Sequence, residues 1–419
     1  MVEIKEICSI EVLDSRSNPT VLSEVRLSDG SRGVAIAPSG ASRGRYEAHE
    51  LRDGDKNRYF GKGVLCAVKK INEIIAPALV GMSPYDQNRA DSVMIALDGA
   101  HNKSNLGANA ILSVSLAIAR AASVSLNVPL YQYLGGVLHG KMPIPLMNVL
   151  NGGAHAGNNV DIQEFMLAPI GAQSFSDAVR MCSEVYHTLK NILSAEKKTV
   201  SVGDEGGFAP NLDSDEDAIK LLIRAIENCG YIPGKDISVA LDAAASEWYS
   251  DGVYRLPKRD VIYTPDELCK YFESLAASYP IISLEDPMGE EDFYGWEKIG
   301  EAFFNKGINL VGDDLFVTSS KRIRQGHDKG IANTVLIKPN QIGTLSETAE
   351  AHSTAISLGY KTVMSHRSGE TEDSFIADLA VALSSDYVKM GAPARGERTA
   401  KYNRLMKIES ELWSPSYGN

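Results

Sequence analysis

Two short runs, PIISLED at 280–286 and INLVGDD at 308–314, indicate the fold of this chain. Each is an apolar run of strand length that ends in carboxylates. Four more runs share this pattern and end in polar or charged residues: ISVALD (237–242), NTVLIK (333–338), KTVMSHRS (361–368) and DYVKMG (386–391). The steps between Asp242, Glu285, Asp313, Lys338, Ser365 and Lys389 are 43, 28, 25, 27 and 24 residues. A strand, a helix and two loops need about that length.

The segments between these runs have helical signals. Thr264-Pro265-Asp266-Glu267 combines an N-cap, a proline at the first helical position and a capping-box acid. Repeated strand–helix units predict a parallel sheet covered by helices. With PIPLMNVL (143–150) and DIQEFMLAP (161–169) the strands number eight, the count of a closed barrel.

The first third of the chain has a different order of strand and helix signals, which predicts an α+β domain. VRLSDGSRGVAIA (25–37) predicts a hairpin at Asp29-Gly30, and VLCAVKKINEIIAPAL (64–79) has helical spacing. GANAILSVSLAIARAASVSL (107–126) is apolar nearly all round, which predicts a buried helix. The Gly- and Pro-rich LGGVLHGKMPIP (134–145) breaks the pattern. We therefore predict an N-terminal α+β domain over 1–137 and a barrel domain over 138–419, an α/β fold overall.

Composition excludes several classes of protein. The 419 residues carry 42 Lys and Arg against 54 Asp and Glu, a net charge of −12, which argues against a DNA partner. Neither a signal peptide nor a membrane span is predicted. The five cysteines are widely spaced without a CxxC pair. They predict neither disulfides nor a zinc site, and favour a cytoplasmic location.

Three acids, Asp242, Glu285 and Asp313, end different strands of the predicted barrel. The carboxyl ends of barrel strands converge on one mouth, where active sites lie. Each acid alone could be a helix cap. Three convergent carboxylates, however, repel one another unless a cation lies between them. An all-oxygen ligand set favours Mg²⁺, which substrate oxygens would complete.

The same mouth collects Lys338, Arg367, Ser368 and Lys389. The stem of Lys338 follows an apolar strand, so we expect only its amine to be presented. A nearby metal ion and second lysine would favour the neutral form, a usable base. The alternative is a lysine that reaches solvent from a strand end. Arg367 offers a planar fork for phosphate or carboxylate. Cations beside three acids predict a site for a metal-bound anionic substrate.

Three loops add candidate residues. The stretch 37–55, APSGASRGRYEAHELRDGD, is Gly- and Ser-rich and then charged, which predicts a mobile flap over a ligand. NGGAHAGNNVDIQEF (151–165) carries His155, Gln163 and Glu164. VGDEGGFAPN (202–211) holds Glu205 beside a Gly-Gly pair that lets backbone approach a ligand. Each loop could instead be an ordinary turn, and His155 could be purely structural.

The chain resembles the enolase family, and its bacterial type in particular, over nearly its whole length. The resemblance rests on ten segments that occur in the same order. They are PSGASRGRYEAHELRDGD, GANAILSVSLA, MNVLNGGAHAGNNVDIQEFM, GDEGGFAPN, ALDAAASEWY, SLEDPM, LVGDDLFVT, LIKPNQIGTL, SHRSGETED and GAPARGERTAKYN. The resemblance implies a small α+β domain followed by a ββαα(βα)₆ barrel. It also implies a glycolytic hydro-lyase, phosphopyruvate hydratase, which interconverts 2-phospho-D-glycerate and phosphoenolpyruvate through an ene-diolate.

Carried over by position, the resemblance implies roles for individual residues. Asp242, Glu285 and Asp313 would hold a first Mg²⁺, and Ser42 would help to capture a second Mg²⁺ that arrives with substrate. Lys338 would be the base at C2, and Glu205, supported by Glu164, the acid at the C3 hydroxyl. Substrate-binding or loop-closing roles are implied for the remaining positions, Gln163, His155, His366, Arg367, Ser368 and Lys389.

The resemblance also implies partners, and it shows positions where this chain differs from the usual family sequence. Family members form homodimers, and many bacterial ones form octamers. Some bacterial relatives also join an RNA-degrading assembly or are secreted or displayed at the cell surface, where they bind host proteins. This chain ends in Ser-Tyr-Gly-Asn, without the terminal lysine used for plasminogen capture. Arg43 and Met390 stand where Thr is usual, and Ser17 where Gly is usual.

Two other functions compete with this interpretation. Lys338 could form a Schiff base in a lysine-dependent aldolase. The three acids argue against that chemistry, because such aldolases need no metal. A role confined to binding, as a surface receptor or scaffold, is disfavoured because no implied catalytic position is lost.

Overall fold

The computed structural model describes residues 1–41, 44–137 and 140–418. Its strands are β1 Ile4–Leu13, β2 Pro19–Leu27, β3 Arg32–Ile36, β4 Lys141–Met142, β5 Ile144–Asn151, β6 Glu164–Ala168, β7 Ser238–Asp242, β8 Tyr249–Ser250, β9 Val253–Leu256, β10 Val261–Tyr263, β11 Ile281–Glu285, β12 Asn309–Gly312, β13 Thr334–Ile337, β14 Lys361–Ser365, β15 Tyr387–Lys389 and β16 Ser416–Tyr417.

The α-helices are α1 Leu65–Lys70, α2 Ala76–Leu79, α3 Gln87–Asp98, α4 Ala108–Ser125, α5 Leu130–Gly135, α6 Phe175–Ala195, α7 Asp215–Asn228, α8 Pro265–Ser278, α9 Phe293–Phe303, α10 Ser320–Asp328, α11 Pro339–Ile342, α12 Leu345–Ser357, α13 Phe375–Ala382 and α14 Gly396–Glu411. A π-helical turn, Ile71–Ile75, joins α1 to α2. The predicted helix over 64–79 is therefore present, with one widened turn.

The N-terminal part is a three-stranded antiparallel sheet, β1-β2-β3, packed on α4. The predicted hairpin joins β2 to β3, with Arg26 opposite Arg32. A Cβ on Gly33 would lie 2.2 Å from the Ala117 carbonyl oxygen. Only glycine therefore lets α4 approach β3 this closely. Among the described residues, α4 alone has the length and apolar character of a membrane span, and 83% of it is buried inside the protein.

The turn between β1 and β2 contains one of the departures from the family pattern. Ser17 has a φ of +60°, in the left-handed region that glycine adopts freely and other residues adopt at a cost of about 1–2 kcal/mol. Asp14 supports the turn, since its carboxylate accepts hydrogen bonds from the backbone N–H groups of Arg16 and Asn18, both at 2.8 Å. The turn is kept despite the missing glycine.

The remaining strands form the predicted eight-stranded closed barrel, in the order β11-β12-β13-β14-β15-β5-β6-β7. The fold class is confirmed as ββαα(βα)₆, with α6 and α7 following the first two barrel strands. β6 is antiparallel to both of its neighbours, whereas the other barrel pairs are parallel. The capping box predicted at Thr264 and Glu267 begins α8.

Candidate active site

Side chains from several barrel strands converge at one mouth because of the strand directions. Asp242 and Glu285 end β7 and β11 and face each other in register. Lys389 ends β15. Glu164 is the first residue of β6 and lies opposite Asp242. Since β6 runs antiparallel, its beginning, rather than its end, reaches the mouth.

The Lys389 ammonium is surrounded by carboxylates. Its Nζ lies 2.8 Å from Asp242 Oδ2, 2.8 and 2.9 Å from the two oxygens of Glu285, and 3.2 Å from Glu164 Oε1. Burial opposes the charged form of this lysine, but the three carboxylates outweigh burial and hold the pKa of Lys389 well above its ordinary value. Burial, followed by the charge of Asp242, raises the pKa of Glu285 to about 8. Full ionisation of these carboxyl groups therefore requires more positive charge than one lysine supplies.

Asp313 lies on the other side of the mouth, directly after β12, and is paired with the Lys338 ammonium. Gln341 Nε2 donates to the second oxygen of Asp313 at 2.8 Å. Burial acts to lower the pKa of Lys338, but Asp313 outweighs it and the pKa is raised. The sequence predicted an amine whose neutral form is favoured. The difference arises because, in this structure, the nearest charge to the amine is an anion.

The donor set at this mouth fits a hard divalent cation. The predicted ligands Asp242, Glu285 and Asp313 offer only carboxylate oxygens, the donors that Mg²⁺ prefers. Gln163 Oε1 and Glu164 Oε2 are also buried without a hydrogen-bond partner in the described part of the chain. Buried polar atoms without partners indicate a place where a polar ligand binds.

A second carboxylate group lies beside this one. Oxygens of Asp286, Asp313 and Asp314 lie within 4.8 Å of one another. Both oxygens of Asp286 accept backbone N–H hydrogen bonds, from Asp313 at 3.0 Å and Asp314 at 2.8 Å. The Asp286 carboxylate thus holds the backbone of the loop after β12, and fewer of its lone pairs are left to bind a metal.

Glu205 lies on the loop between α6 and α7, as the resemblance implies, and is surrounded by polar groups. Asn148 Nδ2 donates to Glu205 Oε2 at 3.0 Å, and His366 Nε2 lies 3.4 Å from the same oxygen. His155 Nδ1 lies 3.8 Å from Glu205 Oε1 and 3.6 Å from Glu164 Oε1. This part of the mouth therefore holds two carboxyl groups and two imidazoles in direct proximity.

The two carboxyl groups have opposite pKa shifts. Burial and then the charge of Glu205 raise the pKa of Glu164 well above its ordinary value. Burial also acts to raise the pKa of Glu205, but its interactions with the imidazoles of His366 and His155 outweigh burial and hold that pKa well below the ordinary value. The two carboxyl groups therefore differ in their affinity for a proton, an arrangement typical of acid–base sites.

Arg367 and Ser368 follow β14 and connect the barrel to the flap. The Glu47 carboxylate accepts hydrogen bonds from both terminal nitrogens of Arg367, at 3.0 and 3.2 Å. The backbone N–H of Ala41 donates to Ser368 Oγ at 2.7 Å. The stretch 37–55, as far as the structure describes it, is thus bound to the barrel. The predicted metal ligand Ser42 and the departure Arg43 lie outside the described residues.

One cavity brings most of the predicted residues together. It is lined by His155, Gln163, Glu164, Glu205, Asp242, Asp313, Lys338, His366, Arg367, Ser368 and Lys389. Glu285 does not line it and lies behind Lys389. The cavity holds about 30 Å³, room for roughly two water molecules. The ion pairs of the site therefore fill most of it, and a larger ligand requires that they rearrange.

Sequence reasoning missed four contributors to this site: Glu47, Asn148, Gln341 and Arg398. Only Asn148 carried a local signal, since it is the one polar side chain in the otherwise apolar run PIPLMNVL. The other three act through partners far away in the sequence.

Comparison with known families agrees with this architecture. Residues 4–134 match the family description "Enolase, N-terminal domain", and residues 139–417 match "Enolase, C-terminal TIM barrel domain". These domains are those of metal-dependent, lyase-type enzymes. Because the two matches together span nearly all of its residues, the chain belongs to the enolase family.

Proposed function

We propose that this protein is a magnesium-dependent hydro-lyase, a phosphopyruvate hydratase of glycolysis that interconverts 2-phospho-D-glycerate with phosphoenolpyruvate and water. The proposal rests on one observation: two chemically different clusters of side chains lie at one cavity. One consists of carboxylates and lysines, and the other of Glu205 with its two histidines. The first suits an anionic substrate, and the second suits proton delivery to a leaving hydroxyl.

Lys338 is the proposed base. Removal of the C2 proton places new negative charge on the substrate carboxylate, which is the main barrier of the reaction. Lys338 would accept that proton as a neutral amine, the form that a cation bound at Asp313 would favour by replacing the ion pair. The buried charge of Lys389 stabilises the ene-diolate as it forms. Asp242 and Glu285 hold Lys389 in the cavity, so its charge lies beside the substrate once the ion pairs have rearranged to admit it.

Glu205 is the proposed acid for the second step. Hydroxide is a poor leaving group, so the C3 hydroxyl must gain a proton as its bond to carbon breaks. Glu205 lies on a loop that faces Lys338 across the cavity, and Glu164 and His155 support it. The separation of base and acid onto different elements suits a two-step elimination.

Positioning of the substrate is assigned to the remaining cavity residues. The fork of Arg367 and the hydroxyl of Ser368 suit a phosphate, and Gln163 supplies an amide near Asp242 at 3.4 Å. His155 and His366 complete the wall.

Asp242, Glu285, Asp313 and Ser42 would hold Mg²⁺, two ions per site with the second arriving with substrate. Bound Mg²⁺ supplies positive charge that stabilises the enolised carboxylate.

The direct test is conversion of 2-phosphoglycerate by the purified protein. We expect the ultraviolet absorbance of an enol phosphate to appear with Mg²⁺, to vanish with EDTA and to return when Mg²⁺ is restored. Lys338→Ala is the matched control for a contaminating activity. Absence of conversion across a range of Mg²⁺ concentrations by folded protein would contradict the proposal.

The aldolase alternative is weaker for a specific reason. A Schiff-base mechanism needs no metal, whereas Lys338 lies beside Asp313, one of the three carboxylates whose oxygens suit a divalent cation. Borohydride trapping of a substrate adduct on Lys338 would favour the alternative, and inactivation by EDTA would oppose it.

We extend the proposal to the setting of the enzyme. The five cysteines are all free, which supports a reducing cytoplasm. A bacterial type and a homodimeric or octameric assembly are proposed from the family, with host surface proteins or an RNA-degrading complex as secondary partners. Light scattering of the purified protein tests the assembly size.

A further inference from the structure

A fully buried arginine lies behind the proposed acid. Arg398, in the first turn of α14, donates to the backbone carbonyl oxygens of Asp204 at 3.0 Å, Arg367 at 2.6 Å and Ser368 at 2.5 Å. Its Nη1 also lies 2.7 Å from Nδ1 of His366. The guanidinium thus joins the Glu205 loop to the segment that follows β14.

The contact with His366 determines which imidazole nitrogen carries hydrogen. A guanidinium only donates hydrogen bonds and does not lose its proton in proteins, so Nδ1 of His366 has to accept. Burial, opposed by Glu205 and reinforced by Arg398, lowers the pKa of His366 to about 4. The ring is therefore neutral near pH 7, and its single hydrogen is on Nε2.

The Nε2 atom that carries this hydrogen lies next to the proposed acid and has no hydrogen-bond partner among the described residues. His366 Nε2 lies 3.4 Å from Glu205 Oε2, the oxygen that also accepts from Asn148 Nδ2 at 3.0 Å. Asn148 therefore donates to Oε2, and the hydrogen on His366 Nε2 is available to become its second donor. No hydrogen bond from the described residues reaches the other oxygen, Oε1, and His155 Nδ1 lies 3.8 Å from it. A proton on Glu205 is consequently accommodated best on Oε1.

We propose that Arg398 is a positioning residue that fixes His366 as the Nε2–H tautomer, so that His366 donates to Glu205 Oε2 and leaves Oε1 to carry the proton for the leaving hydroxyl. The last part rests on the proposed role of Glu205 as acid. The tautomer itself does not depend on the reaction.

The first test measures the tautomer in the unmodified enzyme. The ¹⁵N shifts of the two ring nitrogens distinguish a protonated from an unprotonated nitrogen. The chain has only 8 histidines, and the signals missing from a His366→Gln variant identify those of His366. We expect protonated Nε2 and unprotonated Nδ1 at pH 7. Protonated Nδ1, or a doubly protonated ring, would overturn the proposal whether or not the enzyme dehydrates 2-phosphoglycerate.

The second test replaces Arg398, whose guanidinium can only donate hydrogen bonds. In Arg398→Gln the amide oxygen can accept from Nδ1, so the other tautomer becomes accessible and we expect it to appear. Dehydration should fall about 10- to 100-fold mainly in kcat, while exchange of the C2 hydrogen with D₂O continues, because Lys338 acts before Glu205. An unchanged tautomer in folded Arg398→Gln, or equal losses of exchange and dehydration, would contradict the role of Arg398.

The control is on the same helix. Arg404 is also largely buried, but it is paired with the carboxylate of Asp378, at 2.8 Å, whereas Arg398 contacts His366. Arg404→Gln should leave the His366 signals and kcat as in the unmodified enzyme. If Arg398→Gln does not fold, the tautomer of the unmodified enzyme still decides the proposal.

Discussion

Glu47 and Arg367 are 320 residues apart in sequence, yet the Glu47 carboxylate receives both terminal nitrogens of the Arg367 guanidinium. Glu47 belongs to the flap and Arg367 to the barrel mouth. The fork that suits a substrate phosphate is therefore held by a flap carboxylate in this structure. Substrate binding and flap position are coupled through this pair, since a phosphate and Glu47 would share the same donors.

The flap should become harder to cleave when ligands bind. Tyr46 is 43% exposed in the flap and Trp413 is 98% exposed near the C-terminus, so chymotrypsin has one site in each place. With Mg²⁺ and a substrate analogue at 100 times its dissociation constant, cleavage at Tyr46 should slow by up to about 100-fold. Cleavage at Trp413 serves as the control and should not change. Equal rates at Tyr46 with and without ligands would argue against a closing flap.

Mg²⁺ binding should depend on Asp313 and much less on its neighbour Asp314, although both residues lie on the loop after β12. Asp313→Asn removes one anionic ligand while it keeps the shape, so Mg²⁺ affinity and activity should both fall by more than about tenfold, the lower range for loss of a supporting partner. Asp314→Asn is the matched neighbour and should change Mg²⁺ affinity little. Calorimetry of both variants measures this. Unchanged affinity in Asp313→Asn, or equal losses in both, would remove the proposed ligand set.

Stability should depend on pH through a histidine far from the cavity. Burial, only partly opposed by Asp386, lowers the pKa of His352 from 6.5 to about 4. The unfolded chain therefore binds more protons than the folded one between these values. The free energy of unfolding should decrease as pH falls below 6.5, by about 2 kcal/mol at pH 5 from this residue. Urea unfolding across this range should give a smaller decrease for His352→Gln. Identical pH profiles for the two proteins would contradict the assignment.

The barrel was predictable because its signals are local. A run such as ISVALD and a capping box such as Thr264–Glu267 each report one element, and eight strands is the count of a closed barrel. Strand ends then indicated Asp242, Glu285 and Lys389. The antiparallel direction of β6 differs from the parallel sheet that the strand–helix repeats predicted. No pattern in DIQEFMLAP shows this direction, because periodicity does not encode strand direction.

The connections within the site were not predictable in the same way. Arg398 contacts His366 across 32 residues, and Gln341 contacts Asp313 across 28. Neither residue interrupts a pattern in its own helix. The opposite pKa shifts of Glu164 and Glu205 also depend on burial and on neighbours that only the folded chain supplies.

The central claim is that Lys338 and Glu205 act in separate steps, and hydrogen exchange tests it most directly. NMR of 2-phosphoglycerate recovered from D₂O measures exchange at C2, with product formation followed in the same samples. Glu205→Gln should still exchange the C2 hydrogen while product formation falls by at least about 10²-fold, because the base is intact. Lys338→Ala should lose both. Persistent exchange in Lys338→Ala, or its abolition in Glu205→Gln with Mg²⁺ and substrate binding intact, would contradict this division of roles.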